Sequence, residues 1–235
     1  MPLDATIDHV AVAVHSIADA GRFWHDELGG GWVGGATTFE GPGFTARQLR
    51  FAGGGRLELL EPVTHDGFVR RFLGRFGPRV HHVTLKVPDL LDAVADLEAA
   101  GYPPVDVSTA LDDWHEAFLR PSQVGGMVVQ VATSRASAED WARHLGGEVE
   151  APRGDAPALL GPTLRHPDLG EAARLWSTLG ASVCRDHEVL EARWPSGALT
   201  IRIEPGQPPG PIGLRFDGVA SLPDGPEGGP RILTG

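Results

Sequence analysis

Cysteine is almost absent from this chain of 235 residues, because Cys184 is the only one. A single cysteine excludes an intramolecular disulfide and a cysteine-rich zinc site. Any bound metal would therefore have to be held by histidine, carboxylate or amide side chains.

Long apolar runs and a targeting segment are also missing. No run approaches the roughly 18 consecutive apolar residues of a membrane span, and the first residues, MPLDATIDHV, lack the basic and apolar regions of a signal peptide. These absences predict a cytoplasmic protein that does not enter a membrane. No G-x-S-x-G nucleophile motif and no phosphate-binding loop occurs either.

Positive charge is scarce, with 20 lysines and arginines against 31 aspartates and glutamates and a formal net charge of -11. Such a charge repels nucleic acid and anionic membranes at long range. We therefore expect a small-molecule substrate and no nucleic-acid partner. The sequence leaves the oligomeric state open, and a homodimer is one of the alternatives.

Glycine and proline are abundant and recur between apolar runs, which predicts many short strands and turns. The run IDHVAVAV alternates as a strand does, and a helix with Ser16 as its N-cap follows and ends at Gly29 and Gly30. The runs GWVGGATTF, FTARQLRF and GRLELLEP predict three further strands. Residues 5 to 62 thus have the pattern β-α-β-β-β.

A second copy of this pattern follows a linker helix predicted over His65 to Phe76. The run RVHHVTLKV is its first strand, Asp89 and Asp92 mark the start of its helix, and the last strand is MVVQVA. Each unit alone would leave an apolar sheet face exposed, and pairing the two closes a core around a cup. The predicted fold class is α+β, with two paired βαβββ units forming one cupped mixed sheet over residues 1–133.

The rest of the chain predicts a third, degenerate unit. Residues 134–160 form a linker with a short helix capped by Ser137, and residues 161–235 resemble a first unit plus a fragment too short to complete another. Alignment places Gly161, Ile201 and Gly213 at the positions of the polar residues described next. We therefore expect this part to lack metal ligands.

Four polar residues occupy equivalent positions in the first two units. His9 and Glu58 are 49 residues apart, and His82 and Gln130 are 48 apart. Each has apolar neighbours in sequence, so strand alternation directs all four to the same, concave side of the sheet. Two imidazoles, one carboxylate and one amide suit Zn²⁺, Ni²⁺, Co²⁺, Mn²⁺ or Fe²⁺. By the same alternation, His81 faces away and is interpreted as structural.

With these residues, the chain resembles the vicinal oxygen chelate superfamily, which includes glyoxalase I, methylmalonyl-CoA epimerase, fosfomycin and bleomycin resistance proteins and extradiol dioxygenases. The resemblance covers residues 5–133 and is greatest to the epimerase branch, through IDHVAVAV, LELLEP, VHHVTLKVPDL and RPSQVGGMVVQVA. It implies that His9, Glu58, His82 and Gln130 bind the metal.

The chain departs from the family where the family places its bases. Family epimerases and glyoxalases use a last-strand glutamate for proton transfer, and this chain has Gln130 there. A second acid/base carboxylate of the epimerases corresponds to Gln48. An amide cannot serve as a general base, so Glu116 is the candidate replacement if alternation turns it inward; otherwise it faces solvent. The candidate catalytic residues are thus Glu58, Gln130, Gln48 and Glu116.

Three functions follow from this set. The first is a metal-dependent lyase or isomerase, epimerase-like or glyoxalase-like, whose substrate chelates the ion through two adjacent oxygens. The second is a protein that binds or sequesters a small molecule without turnover, which the two amides favour. The third, ranked lower, is an Fe²⁺-dependent dioxygenase using His9, His82 and one carboxylate.

Overall fold

The computed structural model describes residues 1–134, 136, 140, 143, 146–218, 226 and 229–235. Eight strands in the first 133 residues form one mixed sheet. They are β1 (Thr6–Ala13), β2 (Gly31–Phe39), β3 (Phe44–Arg50), β4 (Arg56–Pro62), β5 (Arg79–Lys86), β6 (Val105–Leu111), β7 (Trp114–Leu119) and β8 (Val128–Thr133).

The strand order is β2-β3-β4-β1-β5-β8-β7-β6. In both halves the first strand of the unit pairs in parallel with the last, β1 with β4 and β5 with β8. The pairs β2–β3, β3–β4, β6–β7 and β7–β8 are antiparallel. The prediction of two tandem βαβββ units in an α+β fold is confirmed.

Local side-chain caps explain where the helices begin. Helix α1 (Ile17–Gly21) continues into a π-helical turn (Arg22–Glu27). Ser16 Oγ accepts a hydrogen bond from the backbone N–H of Asp19 at 3.1 Å, as its position predicts. Helix α3 (Leu90–Ala99) begins after Asp89, whose Oδ1 accepts from two backbone N–H groups at 2.9 and 3.1 Å.

Helix α2 (Phe68–Phe76) packs against one face of the sheet. Val69 and Leu73 of this helix form a buried cluster with sheet residues that include Ala11 and Leu60. Because alternate residues of a strand share a face, Leu60 lies on the same face as Glu58. Helix α2 therefore covers this face next to Glu58.

A second sheet holds the third copy of the pattern. Its elements are β9 (Ala158–His166), α4 (Leu169–Thr178), β10 (Ser182–Asp186), β11 (Val189–Arg193), β12 (Thr200–Pro205), β13 (Gly210–Asp217) and β14 (Ile232–Thr234). The order β10-β11-β12-β9-β13-β14 contains one βαβββ unit followed by a two-strand fragment. The short helix predicted at Ser137 lies outside the described residues.

The chain divides into two compact units, each built from separated segments. One comprises Met1–His9, His82–Arg135 and Gly161–Ile212, and its core includes the edge-to-face pair of Trp176 and Trp194. The other comprises Val10–His81, Ala136–Leu160 and Gly213–Gly235. Its core includes Phe216, which packs against Trp24 and Phe51. The domain boundaries given above stay a prediction.

No helix among the described residues is both long and apolar enough to cross a membrane.

Candidate metal centre

Three of the predicted ligands converge in the structure. His9, Glu58 and His82 each offer one ligand atom, and these atoms lie within 4.8 Å of one another. Strand pairing explains part of this, because Ala11 of β1 is the register partner of Glu58 in β4, and His9 shares the face of Ala11. Two imidazoles and one carboxylate at this spacing fit a divalent transition metal.

Asp8 orients the His9 ring through Nδ1. Its Nδ1 lies 2.7 Å from Asp8 Oδ2, and its side chain is only 3% exposed. Because a carboxylate accepts a hydrogen bond, Asp8 favours a proton on Nδ1 and directs Nε2 to the other side of the ring. Metal-binding histidines are commonly fixed in this way. The His82 ring stands 5.8 Å from the His9 ring, centroid to centroid, at 69°.

The Thr84 hydroxyl lies between Gln130 and His9 and contacts both. Thr84 and Gln130 are register partners on β5 and β8, and both are buried. Thr84 Oγ1 donates to Gln130 Oε1 at 2.6 Å and lies 3.0 Å from His9 Nε2. The structure thus brings the fourth predicted ligand next to the first through one buried hydroxyl.

Glu116 lies beside Gln130. Phe118 is the register partner of Gln130, and alternation puts Glu116 on the same face of β7 as Phe118. Glu116 Oε2 accepts hydrogen bonds from Gln130 Nε2 at 2.7 Å and from Trp114 Nε1 at 2.8 Å. Of the two orientations considered for Glu116, the structure has the inward one.

Gln48 contacts Glu58. The two are register partners on β3 and β4, and Gln48 Nε2 donates to Glu58 Oε1 at 3.1 Å. Arg56 Nη1 donates to Gln48 Oε1 at 3.4 Å, which keeps the amide nitrogen directed at the carboxylate. Gln48 therefore orients the Glu58 carboxylate through this hydrogen bond.

His81 has different surroundings. Its ring packs against Phe68 at 5.4 Å and Phe72 at 4.7 Å between centroids. Burial is the main cause that lowers the pKa of His81 to about 4, against an ordinary value of 6.5, and the Glu58 charge opposes it. His81 is therefore neutral at physiological pH and lies in an aromatic contact.

The sequence interpretation did not include Asp8, Thr84 or Trp114 in the site. Thr84 follows His82 by two residues and lies between the apolar Val83 and Leu85, so strand alternation alone could have identified it. Trp114 likewise lies two residues from Glu116, so alternation places both side chains on the same face of their strand. Asp8 carried no such signal, because it is adjacent to His9 and alternation assigns it to the opposite face.

Comparison with known proteins agrees with this geometry. A family model for the glyoxalase/bleomycin resistance protein/dioxygenase superfamily matches residues 8–118. This part of the chain is thus similar to that superfamily. The uncharacterized protein YqjC of Bacillus subtilis (strain 168) is 29% identical over 129 residues, which are 53% of this chain and 89% of the relative.

Solved structures similar to this chain cover different lengths of it. A variant of Streptomyces coelicolor methylmalonyl-CoA epimerase, solved in complex with 2-nitronate-propionyl-CoA, is 25% identical with a TM-score of 0.50 and covers 63% of this chain and 98% of that one. A mutant of 4-hydroxymandelate synthase from Streptomyces coelicolor is 17% identical with a TM-score of 0.61 and covers 92% of this chain and 71% of that one. The latter likeness concerns the fold alone.

Proposed function

We propose that this protein is a metal-dependent lyase or isomerase whose substrate chelates the ion through two adjacent oxygens. The observation that carries the proposal is the convergence of His9, Glu58 and His82 within 4.8 Å. A divalent ion held by these residues would supply Lewis-acid polarisation of a carbonyl or thioester group of the substrate.

The residues of the proposed site are either metal ligands or residues that orient those ligands. His9, Glu58 and His82 are the proposed ligands, with Gln130 as the fourth. Gln130 is included because its Oε1 is 2.6 Å from the Thr84 hydroxyl, which also contacts His9. The donor set suits Zn²⁺, Ni²⁺, Co²⁺, Mn²⁺ or Fe²⁺.

Proton transfer is assigned to Glu116. The amides of Gln48 and Gln130 cannot accept a proton at physiological pH, whereas Glu116 is a half-buried carboxylate in hydrogen-bond contact with Gln130. Its Oε2 accepts two hydrogen bonds, so Oε1 is the atom we assign to removing a proton from the substrate carbon and returning it.

A small acyl thioester is the first substrate to test. The support is the epimerase neighbour, which was solved with 2-nitronate-propionyl-CoA. Proton exchange at the carbon next to the thioester needs a polarised carbonyl and a carboxylate that moves the proton. We assign the first role to an ion that His9, Glu58 and His82 would hold, and the second role to Glu116.

The test combines metal analysis with proton exchange. Wild-type protein purified without a chelating tag should bind one divalent ion per chain and exchange the substrate proton in deuterated water, followed by NMR. Glu58→Ala should lose both properties, while the exposed Glu40→Ala keeps both. Normal metal uptake by Glu58→Ala would remove this site from consideration.

A binding protein without turnover is the second candidate. The observation that favours it is that Gln48 and Gln130 stand where the superfamily resemblance leads us to expect carboxylate bases, and both amides are engaged with neighbouring carboxylates. Calorimetric titration with candidate ligands would show it through tight binding and no proton exchange. Affinity undiminished in metal-free protein would further separate binding from metal-dependent chemistry.

Oxygen chemistry is a third outcome of the same experiments. His9, Glu58 and His82 are two histidines and one carboxylate, the set that holds Fe²⁺ in many oxygenases. Oxygen uptake by Fe²⁺-loaded protein with a panel of catechols would favour this function over proton exchange.

A further inference from the structure

The orientation of the Gln130 amide decides whether it can bind a cation. The oxygen and nitrogen ends of a glutamine amide have nearly the same shape, but only the oxygen has lone pairs to offer a metal. A half-turn about the last side-chain bond would present an NH₂ group instead. The site therefore needs a contact that favours one orientation.

Glu116 provides that contact. An ionised carboxylate can only accept hydrogen bonds, and Glu116 Oε2 lies 2.7 Å from Gln130 Nε2. Turning the amide round would place its carbonyl oxygen against the carboxylate oxygen, which exchanges a charge-assisted hydrogen bond for a repulsion. The carboxylate thus selects the orientation in which Oε1 is directed at Thr84.

Thr84 cannot make this choice itself. A hydroxyl both donates and accepts, so Thr84 would satisfy either end of the amide. With the orientation fixed by Glu116, Thr84 donates to Gln130 Oε1 at 2.6 Å. The other neighbour of the hydroxyl is His9 Nε2 at 3.0 Å, so the amide oxygen faces the histidine side of the network.

Trp114 in turn fixes the carboxylate. Its indole Nε1 can only donate, and it does so to the same Glu116 oxygen at 2.8 Å. Trp114 and Glu116 are two residues apart on β7, so they share one face of the strand. The carboxylate therefore has a fixed partner on its own strand and a fixed partner on β8.

We propose that Glu116 is a positioning residue for the metal centre, which holds the Gln130 amide so that its oxygen, and not its nitrogen, is presented to the ion. This inference rests on the proposed metal centre, and it holds whether or not Glu116 also moves a proton. It explains how an amide can occupy a ligand position at which either end would otherwise fit.

The test is a double-mutant cycle read by Co²⁺ affinity and by the Co²⁺ absorption spectrum. Glu116→Ala removes the acceptor that selects the orientation of the Gln130 amide, so Co²⁺ binding should weaken about tenfold or more. Glu116→Gln is unsuitable, because Trp114 Nε1 would still hold an amide oxygen at the same point. In the Gln130→Glu background either carboxylate oxygen can bind the ion, and adding Glu116→Ala should not weaken binding. The exposed Glu98→Ala is the matched control and should bind as the wild type does.

Equal weakening in both backgrounds would show a general structural effect and overturn the proposal. Unchanged Co²⁺ affinity of Glu116→Ala would also overturn it. A second readout is independent of metal. The side-chain NH₂ resonances of Gln130 should shift, and their hydrogen exchange should speed up, in Glu116→Ala; unchanged resonances would overturn the proposal. Wild-type protein that binds no Co²⁺ would refute the proposed function, and the NMR readout would still decide the orientation.

Discussion

Asp8 allows a quantitative test of how the metal centre is held. Asp8→Asn keeps the size of the side chain and removes the charge that faces His9 Nδ1 at 2.7 Å, where the two side chains are 16% and 3% exposed. A hydrogen bond to a charged partner contributes about 1.5–3 kcal/mol, and loss of such a contact behind a metal-binding histidine weakens metal affinity about 10–100-fold. Because asparagine can still accept a weaker hydrogen bond, we expect about tenfold.

The assay is competition for Zn²⁺ against a chromophoric chelator, with Asp4→Asn, an exposed residue of the same type, as the control. The variant should keep the stoichiometry of the wild type and its circular dichroism spectrum. Equal affinities of Asp8→Asn and wild type would refute the assignment of His9 as a ligand oriented by Asp8.

Three further predictions concern the fold around the site. Asp89→Ala removes the acceptor of two N–H groups at the start of α3 and should lower the free energy of unfolding by about 1 kcal/mol in urea titrations. Leu73→Ala opens a cavity where α2 packs on the sheet and should cost about 2–5 kcal/mol by the same measurement. His81→Gln should flatten the pH dependence of stability. The pKa of His81 is lowered to about 4 from 6.5, so the unfolded chain binds the proton more readily and wild-type stability falls as pH drops through this window.

Each of these three has an outcome that would contradict it. Unchanged unfolding of Asp89→Ala would mean that α3 does not depend on its cap. A cost below about 0.5 kcal/mol for Leu73→Ala would place it among ordinary surface substitutions. An equally steep pH profile in His81→Gln would assign the acid sensitivity to other groups.

Most of the strands and site residues predicted from the sequence were identified by strand alternation. The run GWVGGATTF was predicted as a strand and is β2, Gly31–Phe39, because glycine-rich breaks bound it on both sides. The same two-residue period predicted that His9, Glu58 and His82 would share a face, and the structure brings their ligand atoms together. The two-residue period and the internal repeat were sufficient to predict this shared face, because the strands that hold these residues have one more apolar and one more polar face.

Other features depend on tertiary contacts that a sequence does not display. The linker helix was predicted from His65, but α2 begins at Phe68, after the extended backbone of Gly67. Glu116 was left between an inward and an outward orientation, because its strand WHEAFL has apolar residues on both faces and alternation alone does not say which face is inward. The hydrogen bonds of Thr84 and Trp114 depend on side chains from neighbouring strands, so only the face that each residue occupies was predictable.

The position of the bound ion tests the central claim most directly. Crystals grown with Co²⁺ and measured at its absorption edge should show one strong anomalous peak, with His9, Glu58 and His82 at bonding distances of about 2.0–2.2 Å. An ion bound elsewhere, or the ligand atoms of these three residues directed away from the peak, would contradict the claim that they form a metal centre.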